Sequence, residues 1–274
     1  MKPGPFRTHV WDPRRSHAFT LIELIVVLGV LLLLALTLAP GMASARYDGH
    51  RVQCLKNLAQ MTSAWRMYAD DNNDRLVVSR ASSTGSPIWV PGDVDFTSAS
   101  YNWDPNQNLP KSPLWTYCGK SAAVFRCPAD PATVSATVNG KIRTLPRVRS
   151  ISMSHVFGQG SWLPSSSWRT YTRAGQIVAP AKTFLFIDEH PGSIQDGEFA
   201  NTLDTARIID FPANYHRDGA AGISFADGRA EIHRWQGSQI RLVPYDIRAL
   251  ALNVSALDSA VDVAWLAGNT TVPR

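Results

Sequence analysis

The apolar positions of this chain change period three times. Residues 19–39 form an almost unbroken apolar run, 21 residues holding a single charge, Glu23. At 1.5 Å per residue, a helix of that length covers roughly 30 Å, the thickness of one bilayer core. After Pro40-Gly41 the pattern becomes amphipathic. Val52, Leu55, Leu58, Thr62, Trp65 and Tyr68 or Ala69 recur every three or four positions, with Lys56, Gln60 and Arg66 off the stripe. The spacing predicts one long helix over about residues 19–68. Pro40, which lacks a backbone donor, is a place for it to bend or open. The distal half needs an apolar partner, most simply a sheet.

Residues 76–180 are irregular and rich in Ser, Pro, Gly and Trp. Long loops of this kind are functional or are packed down by their own aromatics. The tryptophans are expected to cover a small core, with a carbohydrate-binding surface as the alternative. "TFLFIDE" at residues 183–189 predicts a central strand. "AGISFADGRAEIHRW" at residues 221–235 predicts a hairpin turning at Asp227-Gly228. A two-residue type I′ turn there pairs Phe225 with Ala230 and Ile223 with Ile232. Near the C-terminus, Leu257, Val261 and Ala264 or Trp265 have the spacing of a short helix. The fold class expected is α+β, a long N-terminal hydrophobic helix packed on an antiparallel β-sheet with large loops.

Charge narrows the partners. Lys2, Arg7, Arg14 and Arg15 against Asp12 hold +3 of the net +5. The remainder is too weak for a nucleic-acid footprint, and no basic stripe interleaves with aromatics. A basic leader before an apolar run places the leader in the cytoplasm and the rest outside. Three readings of residues 1–45 then compete: a plain anchor, a secretory signal peptide cut after Ala45 in "GMASA", and an anchor trimmed before Phe19. Arg14-Arg15 fits a twin-arginine signal poorly. A carboxylate inside a membrane costs about 2.5–3.5 kcal/mol and wants a partner. Cutting before Phe19 frees an α-amino group one turn from Glu23, on the same chain or on a neighbouring copy.

"AFTLIELIVVLGVLLLLALTLAP" at residues 18–40 resembles the processing site of type IV prepilins and type II secretion pseudopilins. The resemblance implies that prepilin peptidase cuts between Ala18 and Phe19 and methylates Phe19, leaving Glu23 fifth in the mature chain. Ala18 stands where glycine is usual. "CLKNLAQ" at residues 54–60 resembles the segment after the anchor in a large bacterial branch of such proteins. "NYHRDGAAGISFADGRAEIHRW" at residues 214–235 resembles that branch's C-terminal motif, a His followed nine residues later by Asp-Gly. Here ten residues separate His216 from Asp227.

The candidate chemistry is sparse. Cys118 and Cys127 could close a short disulfide loop outside the cytoplasm, leaving Cys54 as a buried small hydrophobe. No CxxC or zinc-finger spacing is present. Asp70, Asn72 and Asp74 invite a structural calcium reading, but a helix stop explains them better. His216, Asp188, Glu189, His190 and Asp227 are weak candidates for a metal or acid–base group at one end of the sheet. The plainer expectation is that Asp227 makes its turn, His216 bonds a loop, and no cofactor is required.

The function expected is structural, a pseudopilin or minor-pilin-like subunit that is not itself an enzyme. Its parts are a cleaved leader at 1–18, a membrane and filament-core helix at 19–40, an amphipathic continuation at 41–71, and an extracytoplasmic loop-rich domain at 72–274. The implied location is the inner membrane, single-pass, with the C-terminal domain periplasmic until assembly. The implied partners are prepilin peptidase, other pilins and copies of itself, the inner-membrane secretion platform and lipid. The rivals are an exported Trp-rich binding protein and a membrane-anchored metal-dependent hydrolase.

Overall fold

The structure, a computed structural model, describes residues 20–80, 85–160, 162–163 and 167–274, without the side chains of residues 35–46. The leader, Ala18 and Phe19 lie outside the described residues. The chain divides into two units, residues 1–45 and 46–274. Helix α1 (Leu21–Asp71) contributes to both, and Pro40 does not terminate it.

In the first unit the described side chains of α1 are exposed. Leu21, Ile22, Leu24, Ile25 and the apolar residues up to Leu34 present their surfaces outward. Among the described residues, no helix is long and apolar enough to cross a membrane. The described side chains of the run stop at Leu34.

In the second unit the distal part of α1 buries Cys54, Leu58, Met61, Trp65 and Tyr68 along one stripe. Leu58, Thr62, Trp65, Tyr68 and Ala69 are inward as their spacing predicts, and Cys54 is buried as expected, whereas Val52 is half exposed. The helix stops at an Asn72–Asp74 turn, where Asn73 and Asp74 adopt left-handed φ of 56° and 67°. The Asn72 side chain donates to the Tyr68 carbonyl at 2.7 Å. Both Asp74 carboxylate oxygens accept from the Gly175 N–H, at 3.2 and 3.1 Å. Asp74 thereby ties the helix end to a distant loop.

A first hairpin follows, β1 (Thr133–Val138) and β2 (Lys141–Pro146). Its two-residue turn is Asn139-Gly140, with φ of 52° and 72°, as a type I′ turn requires. The hairpin lies within residues 76–180, where the composition predicts loops. The main sheet runs in the order β5-β3-β4-β7-β8. Its strands are β3 (Ile151–Ser154), β4 (Phe184–Asp188), β5 (Glu198–Phe199), β7 (Ala220–Phe225) and β8 (Ala230–Arg234). All pairings are antiparallel except β3 with the short edge strand β5, which is parallel. Strands β6 (Arg207–Ile208) and β9 (Val254–Ser255) form a separate pair. The fold is therefore α+β with an N-terminal helix, and β4 is central and wholly buried, as its apolar run predicts.

The β7–β8 hairpin forms with its register moved by one residue. Gly222 pairs with Ile232, Ile223 with Glu231 and Ser224 with Ala230. Phe225 N–H bonds the Arg229 carbonyl at 2.8 Å, so the loop has three residues and not two. Only Gly228 there has positive φ, 100°, which excludes type I′. The cause is α1. Ala220, Gly222 and Ser224 share the face that the helix crosses, and Thr62 Oγ1 bonds Ser224 Oγ at 2.9 Å. Small residues let the helix close in, and Ile232 sits beside Gly222 on that face. Every residue of β7 is buried, so apolar alternation alone does not pin the register.

On the opposite face His233, opposite Ala221, stacks on Trp265 with centroids 3.6 Å apart. Trp265 belongs to α3 (Ala260–Gly268), which follows α2 (Ser238–Arg241). The inward residues of α3 are Asp262, Val263 and Leu266. Leu257 and Val261, whose spacing marks the helix, are 69% and 46% exposed. Asp262 is buried because its two oxygens accept the N–H groups of Gln236 and Gly237, both at 2.8 Å. Trp89 and Trp235 are fully buried, and each indole donates to a backbone carbonyl at 2.7 Å. The loop tryptophans described here pack mainly inward, with Trp162 the most exposed.

Buried polarity gives the domain a pH dependence. Burial holds the pKa of His155, at the end of β3, down to about 3, against a smaller opposite pull from Asn201. Between pH 6.5 and 3 the unfolded chain binds a proton there that the folded chain refuses, so stability falls as pH falls. In the full-length chain in detergent, His155→Gln should remove about 2 kcal/mol of the stability difference between pH 7 and pH 5. Urea unfolding at the two pH values checks this. An unchanged difference means His155 is not the neutral group described.

Candidate functional site

Where α1 crosses the sheet, four side chains from four parts of the domain meet. Cys54 comes from α1, Cys127 follows a short turn of helix at Ala122–Phe125, Asp188 ends β4, and His216 precedes β7. Cys54 Sγ donates to Asp188 Oδ2 at 3.1 Å. Cys127 Sγ lies 3.2 Å from His216 Nε2, which is 3.6 Å from Asp188 Oδ2. The four candidate donor atoms all lie within 4.8 Å of one another. The residues are closed off from solvent, His216 being the most exposed at 6%.

Backbone geometry makes room for this group. A Cβ on Gly222 would fall 2.6 Å from Cys54 Sγ and 2.8 Å from both Asp188 Oδ2 and Leu58 Cδ1. Glycine inside a strand marks this kind of close approach. Gly222 N–H also donates to Asp188 Oδ2 at 3.1 Å, and Ala129 N–H to Cys127 Sγ at 3.4 Å. The other Asp188 oxygen, Oδ1, is buried with no hydrogen-bond partner.

The electrostatics follow from the contacts. The hydrogen bond with Cys127, then burial, then the Asp188 charge push the Cys54 thiol well above its ordinary pKa. Burial opposes charge on His216, but the hydrogen bonds to Asp188 and Cys127 outweigh it and push its pKa up to about 10. At neutral pH His216 is therefore an imidazolium and Cys54 a neutral thiol.

Sequence analysis named Asp188 and His216, and the structure joins them. It separates the others. Asp227 accepts the Arg229 N–H at 2.9 Å and serves its turn. Glu189 Oε1 accepts from Ser193 Oγ at 2.9 Å, and His190 Nδ1 accepts the Gly192 N–H at 3.0 Å. The structure does not join Cys118 to Cys127. All three cysteines are free and buried, and Cys127 turns its sulfur to His216, away from any bridge to Cys118. Cys118 is buried elsewhere, in apolar surroundings that push its pKa up to about 12. Cys54 is inward, as expected, yet it faces polar groups.

At the other end of α1, Thr20 and Glu23 form a capping box. Glu23 N–H bonds Thr20 Oγ1 at 3.3 Å, while Thr20 N–H and Oγ1 each donate to Glu23 Oε2 at 2.8 Å. The T-x-x-E spelling before an apolar run is the sequence signal for it. In the uncut chain Glu23 therefore has local partners, a use that sequence reasoning missed.

Comparison with known proteins bears on this end alone. The family described as the prokaryotic N-terminal methylation motif matches residues 13–39. The chain is thus type IV pilin-like or pseudopilin-like in its N-terminal segment, with the motif that prepilin peptidase processes. No curated protein and no solved structure matches the chain.

The tight approach at Gly222 is testable. Gly222→Ala must push α1 off the sheet and should cost about 1–3 kcal/mol of stability. Gly49→Ala, where an added methyl meets nothing within 4 Å, should leave the melting temperature unchanged or raise it. Equal melting temperatures for the two variants would contradict the packing described.

Proposed function

We propose that this protein is a pseudopilin or minor-pilin-like structural subunit of a type II secretion or type IV pilus-like filament. The observation that carries the reading is the methylation motif over residues 13–39, with Glu23 placed fifth after the expected cut. Before assembly the apolar run holds the chain in the inner membrane, its leader cytoplasmic and its domain periplasmic. After removal of residues 1–18, the run packs among the helices of other pilins and of further copies. Prepilin peptidase, lipid and the secretion platform are the partners this requires.

The exposed apolar surface of residues 21–34 supports the reading, since such a surface needs lipid or other helices to cover it. A helix laid on a largely antiparallel sheet supports a pilin-like fold. The domain offers little to an enzymatic alternative, because its Cys, His and Asp group is buried away from substrate. Glu23 has one role before the cut and another after it. In the precursor it caps α1. In the mature chain the methylated amine of Phe19 stands one residue ahead of Thr20. An intramembrane carboxylate then takes an amine as its partner, its own or a neighbour's.

Mass spectrometry of the membrane fraction should show a chain starting at Phe19 and carrying one extra methyl group. A chain starting at Arg46 would replace this reading with an exported soluble domain, and an uncut Met1 with a static anchor. Glu23→Ala should leave cleavage intact and abolish recovery of the protein in sheared filaments. Undiminished recovery would remove Glu23 from assembly.

A further inference from the structure

We propose that Cys54, Cys127, Asp188 and His216 are the four ligands of a structural zinc-type divalent cation that fastens α1 to the sheet. The donor set is two sulfurs, one imidazole nitrogen and one carboxylate oxygen, a mixture suited to zinc. Three of the six separations between the donor atoms are already close to those of a bound state. A tetrahedron with ordinary zinc–ligand bond lengths has edges of about 3.3–3.8 Å. The observed separations are 3.1 Å from Cys54 Sγ to Asp188 Oδ2, 3.2 Å from Cys127 Sγ to His216 Nε2, and 3.6 Å from Nε2 to Oδ2. The remaining separations are within 4.8 Å, so the donors close in by at most about 1 Å on binding.

Three independent features point the same way. The second Asp188 oxygen, Oδ1, is buried with no hydrogen-bond partner, so a small turn of the carboxylate can offer it to the ion with no other bond lost. The Gly222 and Ala129 N–H groups bond two of the ligand atoms from outside, as supporting groups do around metals. Gly222 keeps the space between α1 and β4 free of a side chain that would fill it. Gln53, Asn57, Arg126 and Cys127 line an open pocket of about 400 Å³ beside the buried group, the side from which an ion would enter.

All four positions are supplied by protein, so the site is of the closed structural kind, with no position left for a substrate. Binding is not a redox step. The ion enters, the thiol protons of Cys54 and Cys127 and the Nε2 proton of His216 leave to solvent, and two thiolates and a neutral imidazole remain. The proposal does not depend on the filament reading, because all four ligands lie in the unit at residues 46–274.

The test uses the full-length chain, purified in detergent under reducing conditions without chelator. Metal analysis should find one zinc per chain. Replacing it with cobalt should give thiolate-to-cobalt absorption in the near ultraviolet and strong visible bands. Cys54→Ser and Cys127→Ser should each lose the thiolate absorption in part. Their zinc affinity should fall by more than the roughly 10–100-fold that outer-shell changes cost. Cys118→Ser should keep both spectrum and affinity. If a serine variant fails to fold, the wild-type cobalt spectrum still decides, since only a cysteine ligand gives that absorption. A wild-type chain that takes up no cobalt overturns the proposal. So does a spectrum as sensitive to Cys118→Ser as to Cys127→Ser, or a purified chain in which Cys54 and Cys127 are joined by a disulfide.

Discussion

The domain depends on how closely α1 can approach the sheet. Ala220, Gly222 and Ser224 line the crossing, and Gly222 has no room for a single added carbon. That contact sets the hairpin register, since the helix needs the small residues of β7 on its own side. It places Cys54 against Asp188 and lets Thr62 bond Ser224. The rest of the domain is arranged around it: aromatics from the loops on the core, and the stacked His233 and Trp265 on the sheet's far face.

The same helix meets two different physical demands. Residues 54–69 bury a stripe against their own domain, and their sequence alternates accordingly. Residues 21–34 show apolar side chains on all sides, the pattern of a helix whose cover comes from outside the chain. The methylation motif lies over that second stretch. Its single carboxylate is tolerable because Thr20 and Glu23 satisfy one another at the helix start.

Much of this was legible in the sequence, and the failures have identifiable causes. The apolar run, the central strand at β4 and the hairpin at β7–β8 each had a clear period. The register slipped because matching Ile223 to Ile232 maximised apolar pairing, while a strand buried on both faces takes its register from what crosses it. The helix stripe erred at its first member, Val52, which is half exposed where the helix has not yet reached the sheet's cover. The Asn139-Gly140 turn was written plainly but lay in a stretch dominated by Ser and Pro. At the buried group, Asp188 and His216 stood out by residue type and motif. Cys54 and Cys127 did not, because four ligands far apart in sequence acquire meaning only when the sheet brings them together.

The central claim is that the exposed apolar part of α1 is an assembly surface. The most direct measurement places a photo-crosslinking residue at Leu28 of the full-length chain in its native membranes and identifies the adducts. The account predicts protein adducts, to a second copy or to the apolar helix of another chain carrying the same motif. Adducts to lipid alone, in cells where the mature chain begins at Phe19, would contradict it.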